Sequence, residues 1–373
     1  MTAEVHIIGG GLAGSECAYQ LARRGVPVLL WEMRPVKSTP AHSTGDFAEL
    51  VCSNSLRSDD PFHAAGLLKR ELERFDSLII AAARRAAVPA GSALAVDREH
   101  FAASITSTLE TEDNIEIRRQ EVTALPSGQV VIATGPLTSE PIATELASLL
   151  GEESLYFYDS IAPIVDGDSL DMSKLFWASR YDKGGEDYLN SPLDKAGYLA
   201  FHQALLEAEL APLHDFEKHL FFEGCLPIEE LARRGVDTLR FGPMKPVGLR
   251  TPDGYRPHAV VQLRQESLTK DHFNLVGFQT RMKWPEQKRV FRSLPGLANA
   301  DFVRLGQVHR NTVINAPRHL DPFYRLHAHP RIRLAGQITG VEGYLESAAT
   351  GLATALYICL ERQQKSVQTF PTT

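Results

Sequence analysis

The first hydrophobic positions of the chain predict a strand, a helix and a second strand. An apolar run, VHII at 5–8, is followed by three consecutive glycines. The segment SECAYQLARRG at 15–25 has a helical pattern and ends at a glycine, the usual residue after a helix. A second apolar run, VPVLLWE at 26–32, follows at once. We therefore expect the chain to begin with a strand–turn–helix–strand unit.

The turn of this unit has the spacing of a dinucleotide-binding fingerprint. Gly9, Gly11 and Gly14 form G-x-G-x-x-G between the first strand and the helix. The first glycine allows a tight turn, the second lets backbone approach a pyrophosphate, and the third lets helix and strand pack closely. Glu32 ends the second strand and can accept hydrogen bonds from a ribose diol. An acid at this position favours FAD or NAD over NADP.

Two later segments favour FAD. VVIATGPLTS at 130–139 is a strand that ends in Ala-Thr-Gly, a pattern typical of flavoproteins with two dinucleotide folds. IRLAGQITGVEGYLESAATGLATAL at 332–356 predicts a strand, a glycine-rich turn and a long helix whose N-terminus can face the flavin. Many flavoproteins have Gly-Asp in this motif, where the present chain has Gly-Gln. The residues expected to bind the cofactor are Gly9, Gly10, Gly11, Leu12, Ala13, Gly14, Glu32, Thr134, Gly135, Gly336 and Gln337.

The middle of the chain has a different pattern of polar and apolar residues. Strands and helices alternate up to about residue 180, and a polar, loop-like stretch follows at 181–197. EELARRGVDTLRFGPMKPVG at 229–248 predicts a helix that leads into a strand, and HAVVQLRQES with HFNLVGFQT predicts an antiparallel pair. We predict an α/β fold, a Rossmann-like FAD-binding domain of the glutathione-reductase type with an inserted α+β domain. The expected divisions are 1–180 and 298–373 for the FAD-binding domain and 181–297 for the insert.

Composition narrows the class of protein. The hydrophobic content is 43%, the charged content 23% and the net charge -7, values ordinary for a globular protein. No apolar run reaches the ~18 residues of a membrane helix, and the first strand leaves no room for a signal peptide. The four cysteines lie far apart without a C-x-x-C pair, which argues against disulfides and a zinc site. We expect a reduced, cytoplasmic protein that binds no metal and no membrane.

The charge is distributed unevenly. Residues 281–333 contain eleven Lys or Arg and three Asp or Glu, so this stretch has a net charge of +8 in an acidic chain. A basic face on an acidic protein can bind a polyanion such as RNA. Alternatively, these side chains are solvated or paired with carboxylates of the same chain.

Several longer segments are similar to one family. They include AELVCSNSLRSD, FEGCLPIEELARRG, LRFGPMKPVGL, KWPEQKRVF and GQITGVEGYLESAATG. Together they resemble the TrmFO family, the folate- and FAD-dependent tRNA (uracil-5-)-methyltransferases, over nearly the whole chain. Generic flavoproteins share the glycine fingerprint and the Ala-Thr-Gly strand but not these segments. Members of the family usually continue beyond the point where this chain stops, so the resemblance is to a short form, in which RNA docking would be affected.

The resemblance implies an enzyme that forms 5-methyluridine at the T-loop uridine of tRNA. It implies 5,10-methylenetetrahydrofolate as the one-carbon donor, FAD as the cofactor that passes the unit on, and NAD(P)H as the reductant. The same chemistry on ribosomal RNA stays open. Two other classes stay open as well: an FAD-dependent NAD(P)H oxidoreductase without RNA methylation, and a non-catalytic FAD-binding partner protein. The oligomeric state is not predicted.

The resemblance also implies roles for single residues. Cys225 is expected to add as a thiolate to carbon 6 of uracil, which activates carbon 5; the alternative is a small buried side chain. Cys52 is expected to accept the carbon 5 proton or to protect the flavin, and the alternative is packing. Tyr344 is expected beside the flavin ring, in stacking, gating or plain packing. The side chains expected to contact RNA phosphates are Arg281, Lys283, Lys288, Arg289 and Arg292.

Overall fold

The computed structural model describes residues 4–151, 155–160, 162–182, 185–211, 226–306, 308–366 and 368. The strands are β1 (Val5–Ile8), β2 (Val28–Glu32), β3 (Ser55–Ser58), β4 (Ala87–Val88), β5 (Ala93–Val96), β6 (Ile115–Arg119), β7 (Gln129–Ile132), β8 (Leu155–Ser160), β9 (Ile164–Asp166), β10 (Phe176–Trp177), β11 (Tyr188–Leu193), β12 (Ala259–Gln265), β13 (His272–Leu275), β14 (Phe302–Arg304), β15 (Val308–Val313) and β16 (Ile332–Leu334).

The α-helices alternate with these strands in the first half of the chain. They are α1 (Leu12–Ala22), α2 (Ala64–Arg74), α3 (Leu78–Arg85), α4 (Arg98–Glu110), α5 (Glu140–Leu150), α6 (Lys195–Glu207), α7 (Ile228–Arg233), α8 (Thr238–Phe241), α9 (Trp284–Phe291), α10 (Ala316–His319) and α11 (Tyr344–Arg362). Within the described ranges, no helix is long and apolar enough to cross a membrane.

A parallel sheet forms the centre of the first unit. Its strand order is β16-β7-β1-β2-β6, and every neighbouring pair is parallel. β1 is nearly all apolar because helices cover the sheet, as parallel strands require. The helices α1 and α11 pack side by side, and Gly351 makes this possible, since a Cβ there would collide with the backbone of Ala13. The helices α1 and α11, from the two ends of the described chain, thus pack together on one face of the sheet.

The second unit is an antiparallel sheet with one apolar and one polar face. Its strand order is β10-β11-β12-β13-β9-β14. Val261 and Leu263 of β12 point into an apolar core that also contains α6 and α7 residues. The alternate residues Gln262 and Arg264 are buried on the opposite face. Because burial of polar side chains costs free energy, a buried polar face is more typical of a binding site than of a core. This second face is therefore a candidate wall of a binding site.

The predicted α/β class with a parallel sheet is confirmed. The predicted antiparallel pair is confirmed as β12 and β13. The strand expected after the helix at 229–248 is wrong: α8 and a loop occupy the stretch, since Pro243 and Pro246 have no backbone N–H to donate to a strand ladder. The division into domains stays a prediction; the strands of the second sheet extend from Ile164 to Arg304, beyond the 181–297 segment expected for the insert.

Candidate active site

The glycine turn between β1 and α1 has the geometry that the fingerprint predicts. Gly9 has a φ of 104°, a conformation that favours glycine, and a Cβ there would lie 2.5 Å from the carbonyl oxygen of Ala133. Gly14 packs directly on the backbone of Gly9. Gly11 differs from both, because a Cβ placed on it would meet no protein atom within 4 Å. The turn therefore leaves an open space above Gly11, where a pyrophosphate can approach the backbone.

A cleft extends from this turn along the carboxyl ends of the parallel strands. It encloses about 1010 Å³ including its open mouth, which is large enough for a dinucleotide. All but one of the predicted cofactor residues line it. They are Gly9, Gly10, Gly11, Leu12, Ala13, Glu32, Thr134, Gly135, Gly336 and Gln337. The exception, Gly14, lies beneath the turn, where it packs on Gly9. The donor set and the open space fit FAD.

Glu32 is held in the charged form. Its Oε2 accepts the backbone N–H of Gly10 at 2.8 Å, and its Oε1 accepts the backbone N–H and Nε–H of Arg34, each at 3.0 Å. Burial raises the pKa of Glu32, but the Arg34 charge and these hydrogen bonds outweigh burial and lower the pKa below its usual value. A carboxylate can accept about four hydrogen bonds. Three are used, so one position remains for a ribose hydroxyl.

Cys52 and Tyr344 meet at the edge of the cleft. Tyr344 begins α11 and lines the cleft, and its Oη lies 3.0 Å from Cys52 Sγ. The same Oη accepts the backbone N–H groups of Cys52 at 2.8 Å and Ser53 at 3.2 Å. Burial raises the pKa of Tyr344 well above its usual value, and the neighbouring Cys52 adds to this. Tyr344 is therefore a neutral phenol beside a thiol.

The chain is similar to known proteins over nearly its whole length. The family model "Glucose inhibited division protein A" matches residues 4–366. A methylenetetrahydrofolate–tRNA-(uracil-5-)-methyltransferase TrmFO of Desulforamulus reducens is 58% identical over 369 residues, which are 98% of this chain and 84% of that protein. The chain belongs to the TrmFO family. The Bacillus subtilis TrmFO is 56% identical over 353 residues, 94% of this chain and 81% of the relative.

Solved structures agree on the fold of this TrmFO-family chain. GidA of Aquifex aeolicus superimposes with a TM-score of 0.74 at 17% identity. The match covers 99% of this chain and 65% of the GidA chain, so the chain spans slightly less than two thirds of that neighbour. This similarity confirms the Rossmann-type fold that the glycine fingerprint predicted. FAD and methylenetetrahydrofolate are the cofactors that TrmFO membership supports, and NAD(P)H is consistent with it.

Three arginines surround the Cys52–Tyr344 pair of this TrmFO-family site. Arg98 donates to the carbonyl oxygen of Leu50 at 2.9 Å, and its Nε lies 2.5 Å from Glu266 Oε2. Arg264 donates to Asn54 Oδ1 at 2.7 Å and to Ser53 Oγ at 2.8 Å. Arg304 is the third and donates to the carbonyl oxygen of Ala41 at 3.0 Å.

These arginines make the environment of Cys52 cationic. Burial lowers the pKa of Arg264 and of Arg304, and for Arg304 the charge of Arg98 lowers it further. Burial alone would lower the pKa of Arg98 as well, but the charge of Glu266 outweighs burial and raises the pKa of this guanidinium. All three remain protonated, because an arginine guanidinium is not deprotonated in proteins. A thiolate is more stable beside such charges than in an apolar core.

The other predicted chemical residues have different surroundings. Cys225, the expected nucleophile, lies outside the described residues, although the helix predicted after it is present as α7. Cys17 and Cys359 are buried on the packed helices α1 and α11, and burial raises the pKa of both thiols. Among the described cysteines, none forms a disulfide. Among the thiols that the structure describes, that of Cys52 is the one near the cleft.

The basic residues at 281–292 are mostly engaged with carboxylates. Arg281 pairs with Glu230 at 2.6 Å, Lys283 with Glu209 at 3.1 Å and Arg289 with Glu286 at 2.6 Å. Arg292 lies 3.7 Å from Asp301 and also donates to a backbone carbonyl. Lys288 has no ion pair within the described ranges. These five side chains stay candidates for RNA contact, with the charge of four of them partly balanced.

Sequence reasoning missed several residues of the site. Arg34 holds Glu32, and its position two residues after the strand-ending acid was the available signal. Arg264 was detectable as the one charged residue of the strand segment AVVQLRQ. Arg98 directly follows Asp97, which caps α4, and this placement at a helix start gives no hint of its link to Glu266.

His42 is a further cleft residue that the sequence did not reveal. Its Nδ1 lies 2.6 Å from Thr39 Oγ1, and it lines the cleft. Burial lowers the pKa of His42 to about 4, and the nearby Arg34 charge contributes. His42 is therefore neutral at pH 7, and it adds no positive charge to the cofactor cleft.

Proposed function

We propose that this protein methylates carbon 5 of a uridine in tRNA. The methylene carbon comes from 5,10-methylenetetrahydrofolate and a hydride comes from NAD(P)H. The uridine loses its carbon 5 proton, and the two folate nitrogens that release the methylene carbon take up two protons, equivalent to this one and one from solvent. The products are 5-methyluridine, tetrahydrofolate and NAD(P)⁺. The observation that carries the proposal is the thiol–phenol contact between Cys52 and Tyr344 at the edge of the dinucleotide cleft. An NAD(P)H oxidoreductase that removes no proton from a nucleobase has no evident need for this thiol–phenol contact.

Bound FAD would supply the redox chemistry that links NAD(P)H to the one-carbon unit. The residues that would hold it are the turn at Gly9 and Gly11, Glu32 toward the ribose, and the segment at Gly336 and Gln337 near the start of α11. The backbone of Gly11 faces open space, so it can approach the pyrophosphate.

Cys52 is proposed as the group that accepts the carbon 5 proton. A thiolate is the basic form, and the cationic surroundings formed by Arg98, Arg264 and Arg304 favour it. Tyr344 holds the segment of Cys52 in place through two backbone hydrogen bonds. Cys225 is proposed as the nucleophile that adds to carbon 6, on the strength of the segment FEGCLPIEE that the TrmFO resemblance includes.

The test is methyl transfer from labelled methylenetetrahydrofolate to unmodified tRNA transcript, with FAD and NADPH present and nucleoside analysis for 5-methyluridine. The wild type is expected to label tRNA, and Cys52→Ala and Cys225→Ala are expected to lose at least about 100-fold in rate. Cys359→Ala, a small change on α11 away from the cleft, is the matched control. Label in ribosomal RNA alone would move the substrate to that RNA. No label in either RNA, with FAD bound and NADPH oxidised, would contradict the proposal.

A further inference from the structure

A segment with exposed aromatic side chains extends from the last two residues of α8 toward β12. This stretch, residues 240–257, is called the 240–257 loop below. Phe241 is 84% exposed, Tyr255 is 51% exposed and Val247 is 55% exposed. Tyr181, whose backbone N–H donates to the Gly248 carbonyl at 3.0 Å, is a neighbour of this loop and is 55% exposed. Several large apolar side chains exposed on one short segment indicate a binding surface.

The 240–257 loop is also basic. It contains four Lys or Arg and one Asp, a net charge of +3. Arg240 pairs with Asp237 at 2.7 Å. Within the part of the chain that the structure describes, Lys245, Arg250 and Arg256 have no carboxylate partner, unlike most cations at 281–292. Their charge is therefore available to an anionic partner.

The loop is anchored to the second sheet. The backbone N–H of Val260 in β12 donates to the Met244 carbonyl at 3.1 Å. Arg180 donates through Nη1 to the carbonyls of Lys245 and, at 3.2 Å, Val247. Tyr181 has a φ of 59°, a conformation that aromatic residues rarely adopt, so its position is imposed by these surroundings. A fixed loop presents its aromatic side chains without a large ordering cost on binding.

A short series of contacts connects the loop to Cys52. The Nε of Arg180 donates to Gln262 Oε1 at 2.9 Å. Gln262 and Arg264 are neighbours on the polar face of β12, about 7 Å apart along the strand. Arg264 in turn donates to Ser53, the residue next to Cys52. The loop therefore borders the polar wall of the candidate active site.

We infer that the 240–257 loop, with Tyr181, is the surface on which an unpaired RNA segment docks beside the target uridine. The inference rests on the proposed function, because a uridine must leave its stack before its carbon 5 can reach the site. The neighbouring bases then lose a stacking partner, which exposed aromatic rings replace, while Lys245, Arg250 and Arg256 contact phosphates. A surface of cations and aromatic rings fits single-stranded RNA better than a duplex, whose bases are already stacked.

The test compares two double variants in a binding assay with fluorescent tRNA transcript. Phe241→Ala with Tyr255→Ala is expected to weaken binding by about tenfold or more, because each base–aromatic stack contributes substantially. Arg250→Ser with Arg256→Ser is expected to weaken binding and to reduce the slope of log K against log salt by about 1.4, or 0.7 per lost phosphate contact. FAD content and melting temperature, unchanged in both, verify folding.

One matched control and one variant of the competing basic segment complete the test. Phe62→Ala removes an aromatic side chain that is 96% exposed on the first unit, and binding is expected to stay as in the wild type. Lys283→Ser with Arg289→Ser removes two cations that pair with carboxylates. If only Lys283→Ser with Arg289→Ser weakens binding, or if all variants bind like the wild type, the inference that RNA docks on the 240–257 loop is overturned. A wild type that neither binds nor methylates tRNA would instead overturn the proposed function.

Discussion

At the scale of single residues, the direction of the hydrogen bond between Tyr344 and Cys52 decides the chemistry of the thiol. The phenol oxygen has two lone pairs, and the backbone N–H groups of Cys52 and Ser53 occupy both. The phenol hydrogen then points to Cys52 Sγ, 3.0 Å away. A donor aimed at sulfur stabilises the thiolate over the thiol. Tyr344 is therefore a positioning residue that acts through Cys52.

Tyr344→Phe removes this donor and the acceptor for two backbone groups. We expect Cys52 to react about fivefold more slowly with iodoacetamide at neutral pH, since one hydrogen bond contributes about 1 kcal/mol. Methylation should fall by a larger factor because the Cys52 segment also loses its anchor. The measurement is alkylation rate against pH, read by mass spectrometry of the Cys52 peptide. Tyr255→Phe, an exposed tyrosine, is the control, and equal alkylation profiles for Tyr344→Phe and the wild type would refute the donor role.

His42 predicts a dependence of stability on acid. Burial lowers its pKa from 6.5 to about 4, so below pH 6.5 the unfolded chain binds a proton that the folded chain does not. The free energy of unfolding therefore falls as the pH decreases from 6.5 toward 4, by about 2 kcal/mol at pH 5 for this one group.

Urea unfolding of the FAD-free protein at pH 7.5 and pH 5 measures this effect. His42→Gln should reduce the loss of stability between the two pH values. His63→Gln changes a side chain that is 63% exposed and should leave the loss as it is. An identical pH dependence in the wild type and His42→Gln would show that other groups dominate.

The family resemblance singled out Cys52 and Tyr344 as candidate site residues but could not reveal how they interact. The two residues are 292 positions apart, and the packing of α11 against the segment around β3 brings them together. The cations around them come from three further segments, at Arg98, Arg264 and Arg304. Local patterns record a helix start or an alternating strand, whereas a cluster assembled from distant segments leaves no periodic signal.

At the scale of elements, the turn between β1 and α1 contains one glycine needed for folding and another expected to be needed only for FAD binding. Gly14→Ala places a methyl group against the backbone of Gly9, so the turn and α1 must shift. Gly11 has an extended backbone, with φ -74° and ψ -169°, and open space around its Cβ position, so Gly11→Ala should fold normally. The same methyl group would occupy the space expected for the pyrophosphate.

Gly11→Ala is therefore expected to keep the melting temperature of the FAD-free protein and to weaken FAD binding at least about tenfold. Gly14→Ala should lower the melting temperature as well. Differential scanning calorimetry of FAD-free protein and titration with FAD separate the two effects. Normal FAD affinity in Gly11→Ala would place the cofactor elsewhere.

Helices and strands with a regular hydrophobic period were predictable from the sequence. Breaks that depend on the backbone conformation of single residues were not. The apolar residues at 67–88 recur with a helical period. This period continues through a break between α2 and α3, where Asp76 has a φ of 54° and Ser77 caps α3 by accepting the Ile80 N–H. Apolar periodicity alone does not show such a break, because both helices bury the same kind of residue. The β1–α1–β2 unit and the β12–β13 pair agree with prediction since their patterns and turns point to one structure.

At the scale of the whole molecule, the two sheets meet around the segment that contains Cys52. Arg98 begins α4 of the first unit, and Glu266 directly follows β12 of the second. Their ion pair is buried, with side-chain exposures of 15% and 9%. Arg98 also donates to the carbonyls of Leu50 and Val51. This pair is therefore one of the buried contacts that join the two sheets beside Cys52, together with the hydrogen bonds from Arg264 to Asn54 and Ser53.

Breaking the pair on one side leaves a buried charge without its partner. Arg98→Met and Glu266→Gln should each lower the free energy of unfolding by about 3 kcal/mol, whereas the double variant should lose less than the sum of the two. A double-mutant cycle by urea unfolding measures the coupling. The exposed pair Arg70–Glu73 on α2 is the matched control and should show coupling of about 0–1 kcal/mol. Arg98→Met, alone and combined with Glu266→Gln, should also slow methylation while the protein retains FAD, since the Cys52 segment loses an anchor and the glycine turn does not. Equal coupling in the two cycles would mean that the sheets are held together by the remaining contacts, such as the bond from Arg264 to Asn54.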